Sequence, residues 1–250
     1  MGYLEEKVER VRARLAAEPL DDELNLSRTA GLPPARSLAH AIRTARSVPA
    51  VIAEVKRSSP SAGPIADLDA AEQARSYERA GAVAVSVLTD AEDFGGTNQD
   101  LIAARIAVDL PLVRKDFLVH PSQLIESRVL GADAVLLIVA ALGSGPLLSM
   151  LRAAGDLGLE ALVETHDRSE LRIALDTGAR IVGVNARDLG TLEVDLEAAL
   201  ERLEDVPADR IAVLESGVTD RRDAEAAVAA GASAGIWRRS RGISSGGPRP

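Results

Sequence analysis

The chain has 250 residues, enough for one eight-stranded α/β barrel or for two small domains, and its 46% hydrophobic and 27% charged composition is that of a globular protein with a sizeable core. A net charge of −9 excludes a nucleic-acid binder, because no surplus of Lys and Arg exists to neutralise a phosphate backbone; a phosphorylated small molecule can still be held by main-chain amides and one or two local cations. The absence of cysteine excludes disulfides, thiolate catalysis and cysteine metal sites.

The first fifteen residues carry acids throughout and no apolar centre, so they do not read as a signal peptide. No apolar run reaches the roughly 18 residues that a membrane span needs. A cytoplasmic location without membrane contact is the expectation. Leu4, Val8, Val11 and Leu15 recur at helical spacing and predict an amphipathic helix over 4–17. A break from Pro19 to Asp22 and a turn from Gly31 to Pro34 separate it from a second helix, Ser37 to Arg46. Residues 1–48 thus form a helical extension ahead of the main body, 49–237.

At Val51 the chain turns into a buried strand and then does something that folding does not ask of it. Val51-Ile-Ala-Glu54-Val-Lys56 places a carboxylate and an ammonium two residues apart, on one side of the strand, just before a Ser/Pro/Gly loop. Burying such a pair is costly unless a partner or a wet cavity receives it. One instance would read as a salt-bridged strand end.

From there short apolar runs alternate with Ala-, Glu- and Arg-rich stretches. Strands are predicted at 50–55, 83–88, 111–114, 134–139, 160–163, 180–184 and 211–214, with an eighth at 232–237. Helices at Asp69–Ala80, Pro121–Leu130, Gly145–Asp156, Arg168–Thr177 and Arg221–Ala230 fall between them. Gly81, Gly131, Gly178 and Gly231 each follow a helix and precede a strand, at intervals of 50, 47 and 53 residues. Glycine is the usual left-handed stop of a helix, and near-equal spacing of four such stops points to a quasi-repetitive (β/α)8 barrel. A doubly wound open sheet is the competitor, but no Gly-x-Gly-x-x-Gly follows any strand.

The strand ends carry the chemistry. After Glu54 and Lys56 come Arg114-Lys115-Asp116-Phe117, Glu164, Asn185-Ala-Arg187 and Glu215-Ser216-Gly217, each directly after a buried run. In a barrel these ends converge on one mouth, where catalysis sits. Five strands ending alike make a polar constellation a better account than five separate structural charges. His40, His120 and His166 show no metal-ligand spacing and read as surface or capping residues. Asp100, Asp116 and Asp195 read as helix caps or loop hydrogen-bonders.

These motifs resemble, in order, those of the indole-3-glycerol-phosphate synthase family of tryptophan biosynthesis. Val51-Ile-Ala-Glu54-Val-Lys56-Arg-Ser-Ser59-Pro60-Ser is similar to its first-strand signature, and Val85-Ser-Val-Leu-Thr89 with Phe94-Gly-Gly to its second. Pro111-Leu-Val-Arg-Lys115-Asp116-Phe117, Leu162-Val-Glu164-Thr-His, Gly183-Val-Asn185-Ala-Arg187-Asp-Leu and Glu215-Ser216-Gly217-Val match the third, fifth, sixth and seventh. The resemblance spans about residues 4–232.

It implies a decarboxylating, dehydrating ring closure of 1-(2-carboxyphenylamino)-1-deoxyribulose 5-phosphate to indole-3-glycerol phosphate, a carboxy-lyase reaction needing no cofactor and no metal. It further implies Lys115 as the general acid and Glu164 as acid/base in the dehydration. A buried mouth lysine suits the acid role if desolvation and cationic neighbours bring its pKa toward neutral. Lys56, held by Glu54, contacts the substrate carboxylate and is a second proton donor. Asn185 and Arg187 position hydroxyls and the anthranilate portion, and Glu215 completes the polar ring. Ser59, Ser216 and Gly217 hold the phosphate, while Phe94 and Phe117 wall the anthranilate ring; core packing is the plain alternative for both aromatics. The protein is read as a monomer or weak homodimer acting on a phosphorylated small molecule.

After Ala232 the resemblance stops. Ser233 to Pro250 contains four arginines and no acid, in a Gly/Ser/Pro-rich stretch that reads as a disordered basic tail beyond residue 237. The expectation is an incomplete eighth βα unit, a poorly bridged seam between the first and seventh strands, and weakened phosphate affinity readable by titration. A reading frame shifted near codon 233 would produce such a change of composition. The alternatives to the family activity are a catalytically impaired barrel that serves at most as a binding module and another sugar-phosphate isomerase barrel.

Overall fold

Three helices precede the first strand in the computed structural model, which describes residues 2–59, 63–64 and 69–237. α1 (Tyr3–Ala17) buries Val8 and Val11, two positions of its predicted stripe, and with them Lys7. α2 (Asp22–Thr29) starts on the last residue of the predicted break and fills a stretch for which the sequence predicts no element; the Asp21 side chain accepts from the Leu24 amide, but no residue of this helix is buried, so it has no apolar stripe to read. α3 (Leu38–Arg43) is capped by Ser37 and is shorter than the predicted 37–46. Its Leu38, Ala39 and Ile42 are buried against the barrel.

Eight parallel strands then close a ring: β1 (Ala50–Val55), β2 (Ala84–Leu88), β3 (Leu112–Lys115), β4 (Ala134–Ile138), β5 (Glu160–Thr165), β6 (Ile181–Asn185), β7 (Ile211–Glu215) and β8 (Ala234–Trp237). A short antiparallel ladder, Ser58–Ser59 with Gly63–Pro64, stands in the loop after β1. Around the barrel run α4 (Ala70–Arg79), α5 (Ala91–Phe94), α6 (Asn98–Ala107), α7 (Pro121–Val129), α8 (Val139–Leu142), α9 (Ser144–Asp156), α10 (Arg168–Asp176), α11 (Leu196–Glu204) and α12 (Arg221–Ala229). The four spaced glycines all adopt positive φ after their helices, between 83° and 101°, as the stop requires. Among the described residues no helix is long and apolar enough to cross a membrane.

The seam is bridged. β8 pairs with β1 from Ala50↔Ala234 to Ala53↔Trp237 and with β7 from Ala234↔Val213 to Ile236↔Glu215. This corrects the expectation of open edges at the first and seventh strands. Ala234 and Ile236 are its buried interior side chains, and Gly235 leaves room for the Trp237 ring, which would lie 2.8 Å from a Cβ there. The tail expected after residue 237 lies outside the described residues.

Strand alternation sorts the core into two shells. Ile52, Val113, Leu136, Leu162, Ile181, Val213 and Ile236 belong to the cluster filling the barrel, whereas Val85, Val87, Leu137, Val163 and Val182 pack with the helices. The same period of two places Glu54, Lys115, Glu164, Asn185 and Glu215 on the interior side, at the carboxyl ends of their strands.

Candidate active site

Lys115 ends β3 and reaches across the mouth. Its Nζ lies 2.5 Å from Glu215 Oε2 and 3.3 Å from Glu164 Oε2, which join β7 and β5 to β3 through one ammonium. Both carboxylates are almost wholly buried. Burial alone would push the lysine down, but the charges of Glu215, Glu164 and Glu54 outweigh it and hold its pKa above the ordinary value. The expected cationic neighbours are therefore replaced by anionic ones, which keep Lys115 a full ammonium in the absence of substrate.

The two glutamates respond differently. Glu164 is desolvated, yet Lys115, His166 and Asn185 pull its carboxyl well below the usual range. Its Oε1 accepts from Asn185 Nδ2 at 3.0 Å and meets His166 Nε2 at 3.0 Å. Glu215 is pushed up to about 7, because burial and the neighbouring Glu164 and Glu54 charges exceed the help from Lys115. Its Oε1 is buried with no hydrogen-bond partner among the described residues.

The Glu54–Lys56 pair forms as the two-residue spacing predicts, at 3.5 Å, with Lys56 Nζ 5.0 Å above the centre of the Phe94 ring. Phe94 and Phe117 pack with ring centres 6.4 Å apart, and Tyr3 of α1 meets Phe117 edge-on, also at 6.4 Å. These aromatics belong to the interior cluster that also contains Ile138 and Ile236, so they wall the mouth and pack the core at once. Arg187 sits apart from the carboxylates: its amide donates to Asn185 Oδ1, and its Nη1 donates to the Leu192 carbonyl, folding the loop after β6. Ser216 and Gly217 follow β7 with φ of 65° and 81°, a left-handed pair that turns the chain directly after Glu215. Ser59 contributes main chain to the short ladder opposite Gly63.

Several residues that the sequence left in the background prove central. His166 is neither a surface nor a capping residue; it is wedged between Glu164 and Glu170, 3.0 Å from each. His120 does cap α7, accepting from the Ser122 amide, and Asp195 caps α11; α6 is capped by Thr97, with Asp100 inside the helix closing the capping box by accepting from the Thr97 amide. Asp100 also takes Arg57 at 2.6 Å and 3.1 Å, tying the loop after β1 to α6. Asp116 accepts from Thr89, Arg114 and the Phe117 amide, the loop bonding expected of it. Gly183 is a spacer: a Cβ there would fall 2.3 Å from Glu215 Oε1. Lys7 of α1 is buried against Asp90, Glu92 and Asp93 at 2.6 to 2.9 Å. Their only sequence signal was a polar residue on an otherwise apolar face, or a glycine inside a strand.

The mouth thus combines a proton-bearing lysine, a carboxylate held ionised, a second near neutrality and an aromatic wall, a set able to move protons around an aromatic substrate. Comparison with known proteins gives this geometry its relatives. The family model described as indole-3-glycerol phosphate synthase matches residues 2–236, four residues further into the closing strand than the motifs alone reach. An indole-3-glycerol phosphate synthase of Parafrankia sp. (strain EAN1pec) is 48% identical over 237 residues, covering 94% of this chain and 88% of that protein. Among solved structures, an N-acetylmannosamine-6-phosphate 2-epimerase from Clostridium perfringens aligns with a TM-score of 0.60 at 12% identity, over 83% of this chain and 93% of its own. A cube-shaped, porous protein cage designed by fusing symmetric oligomeric domains aligns at 0.53 and 15%, over 77% of this chain and 64% of its own. These two likenesses concern the fold alone. By its matched length and its identity to a curated relative, the chain belongs to the indole-3-glycerol phosphate synthase family.

Proposed function

We propose that this chain closes the indole ring of 1-(2-carboxyphenylamino)-1-deoxyribulose 5-phosphate, releasing carbon dioxide and water. The observation that carries the reading is the Lys115 ammonium held between Glu164 and Glu215 at the mouth of a barrel whose chain belongs to that family. In the first step the Lys115 N–H bond breaks and an O–H bond forms on the ribulose carbonyl as the carboxylate-bearing ring carbon attacks it. The C–CO2 bond then breaks, and its electrons restore the aromatic ring. In the dehydration Glu164 removes a proton while the hydroxyl leaves, protonated by Lys56. With the substrate carboxylate ionised, one proton is taken up per turnover.

Lys56 and Glu54 stand beside Phe94, where an aminobenzoate ring and its carboxylate would meet both an apolar wall and a cation. Ser59, Ser216 and Gly217 are assigned to the phosphate, with Arg187 and Asn185 bounding the substrate on the β6 side. We further assign the protein to the cytoplasm, as a monomer or weak homodimer with a phosphorylated small molecule as its partner.

The test is to incubate the purified chain with this substrate and follow indole fluorescence. Turnover is expected, and Lys115→Ala should lower kcat by roughly 10²- to 10⁴-fold, the usual contribution of a positioned acid. A wild-type chain that folds but produces no indole would overturn the reading, and undiminished turnover in Lys115→Ala would remove Lys115 from its role.

A further inference from the structure

We propose that His166 is a positioning residue of this site: clamped between Glu164 and Glu170, it aims the Glu164 carboxylate at Lys115 and remains its counter-charge when Lys115 gives up a proton. The proposal rests on the ring-closure reading above and adds a residue to it.

Both ring nitrogens face a carboxylate. His166 Nδ1 is hydrogen-bonded to Glu170 Oε2 at 3.0 Å, whereas Nε2 meets Glu164 Oε1 at 3.0 Å as a close charge contact without hydrogen-bond alignment. The Glu170 oxygen also accepts the His166 amide at 2.8 Å, so backbone and ring are gripped by one carboxylate. Two residues of extended β5 and its exit place Glu164 and His166 on the same side, while Glu170 reaches back from the first turn of α10. Oε1 of Glu164 is thereby committed to His166 and Asn185, which leaves Oε2 as the oxygen facing Lys115.

The electrostatics follow from that placement. Burial alone would lower the histidine, but Glu164 and Glu170 outweigh it and carry its pKa up to about 10, so the ring is an imidazolium through the neutral range. Asp167 at the start of α10 and Asp188 in the loop after β6 also feel its charge, and from α11 the Arg202 guanidinium, which donates to the Asn185 carbonyl, interacts with Glu170 and Asp167. Glu164 therefore has two cations, one on each oxygen. When Lys115 becomes a neutral amine, the His166 charge stays, and Glu164 is still ionised for the proton removal of the dehydration. A glutamate with Lys115 alone would lose its only counter-charge at the moment its basic form is required.

His166→Gln keeps an N–H donor and removes the charge. It is expected to lower kcat by roughly 10- to 100-fold, the scale on which orienting partners act, with little change in KM. The acid limb of the kcat–pH profile should also move to higher pH, because Glu164 without its cation protonates more readily. Glu170→Gln removes an anion and leaves the imidazolium charged on the acid side, so it should not move the limb to higher pH; a shift, if measured, should be small and to lower pH. An unshifted limb or an unchanged kcat in His166→Gln would overturn the proposal. Imidazole ¹H–¹⁵N NMR of the wild-type protein reads the clamp without turnover: His166 should stay doubly protonated past pH 9, and titration in the ordinary range near 6.5 would overturn it. A wild-type chain without turnover but with a high-titrating His166 would sink the ring-closure reading and, with it, the catalytic role given to the clamp.

Discussion

At the scale of single residues, the site depends as much on what is absent as on what is present. Gly183 has no side chain where the Glu215 carboxylate lies, and that vacancy allows Glu215 to approach Lys115 at 2.5 Å. The clash created by a methyl group would fall on the far end of a flexible side chain, so the fold should yield there first. Gly183→Ala is expected to cost only about 1 kcal/mol of stability while lowering kcat about tenfold. In a Glu215→Ala background the same change should have almost no further effect on kcat, since the residue it acts through is gone. Equal losses in the two backgrounds would show that Gly183 matters for another reason.

At the scale of elements, α1 is fastened over the mouth by a charge that the rest of the helix gives no reason to expect. Lys7 is 1% exposed, faces Asp90, Glu92 and Asp93, and sits 5.5 Å from the Phe117 ring centre. Arg10 adds longer contacts to Glu92 and Asp93, at 3.4 and 3.8 Å, and cannot replace it at the buried Asp90. Lys7→Met would strand that carboxylate, a loss of about 3–5 kcal/mol for a buried pair broken on one side. Amide hydrogen exchange in α1 should accelerate accordingly, with the barrel strands keeping their protection. Unchanged protection in α1 would mean that Tyr3, Val8 and Val11 hold the helix without the ion cluster.

At the scale of the whole molecule, closure rests on β8, four residues long and bonded on both edges. The chain has a single tryptophan, and Trp237 ends that strand, so its fluorescence reports on the seam. In urea, tryptophan fluorescence and far-UV circular dichroism should trace one coincident transition if the seam belongs to the cooperative unit. A fluorescence midpoint at clearly lower urea would show the seam opening ahead of the barrel. That result would restore the expectation, drawn from the basic composition after Ser233, that the eighth unit is weak.

How much of this was legible beforehand differs by residue. Strand and helix order could be read because buried parallel strands demand apolar runs, and because the positive φ at Gly81, Gly131, Gly178 and Gly231 leaves a mark at regular intervals. Lys115, Glu164, Asn185 and Glu215 could be read because polar residues recur at the ends of several such runs, and so many are costly to bury without a common site to receive them. α2 could not, since a helix that buries nothing carries no period.

The barrel, the polar strand ends and the family can be read from the order of residues alone. Each of these follows from local periodicity or from motifs in a row. The charge on Lys115, the two carboxylates around His166, the space at Gly183 and the closing of β8 on β1 emerge only in the folded chain. Those depend on which residues, distant in the chain, meet across the mouth. Electrostatic and steric energies vary with such distances on the scale of an ångström, and no local pattern in the chain encodes them.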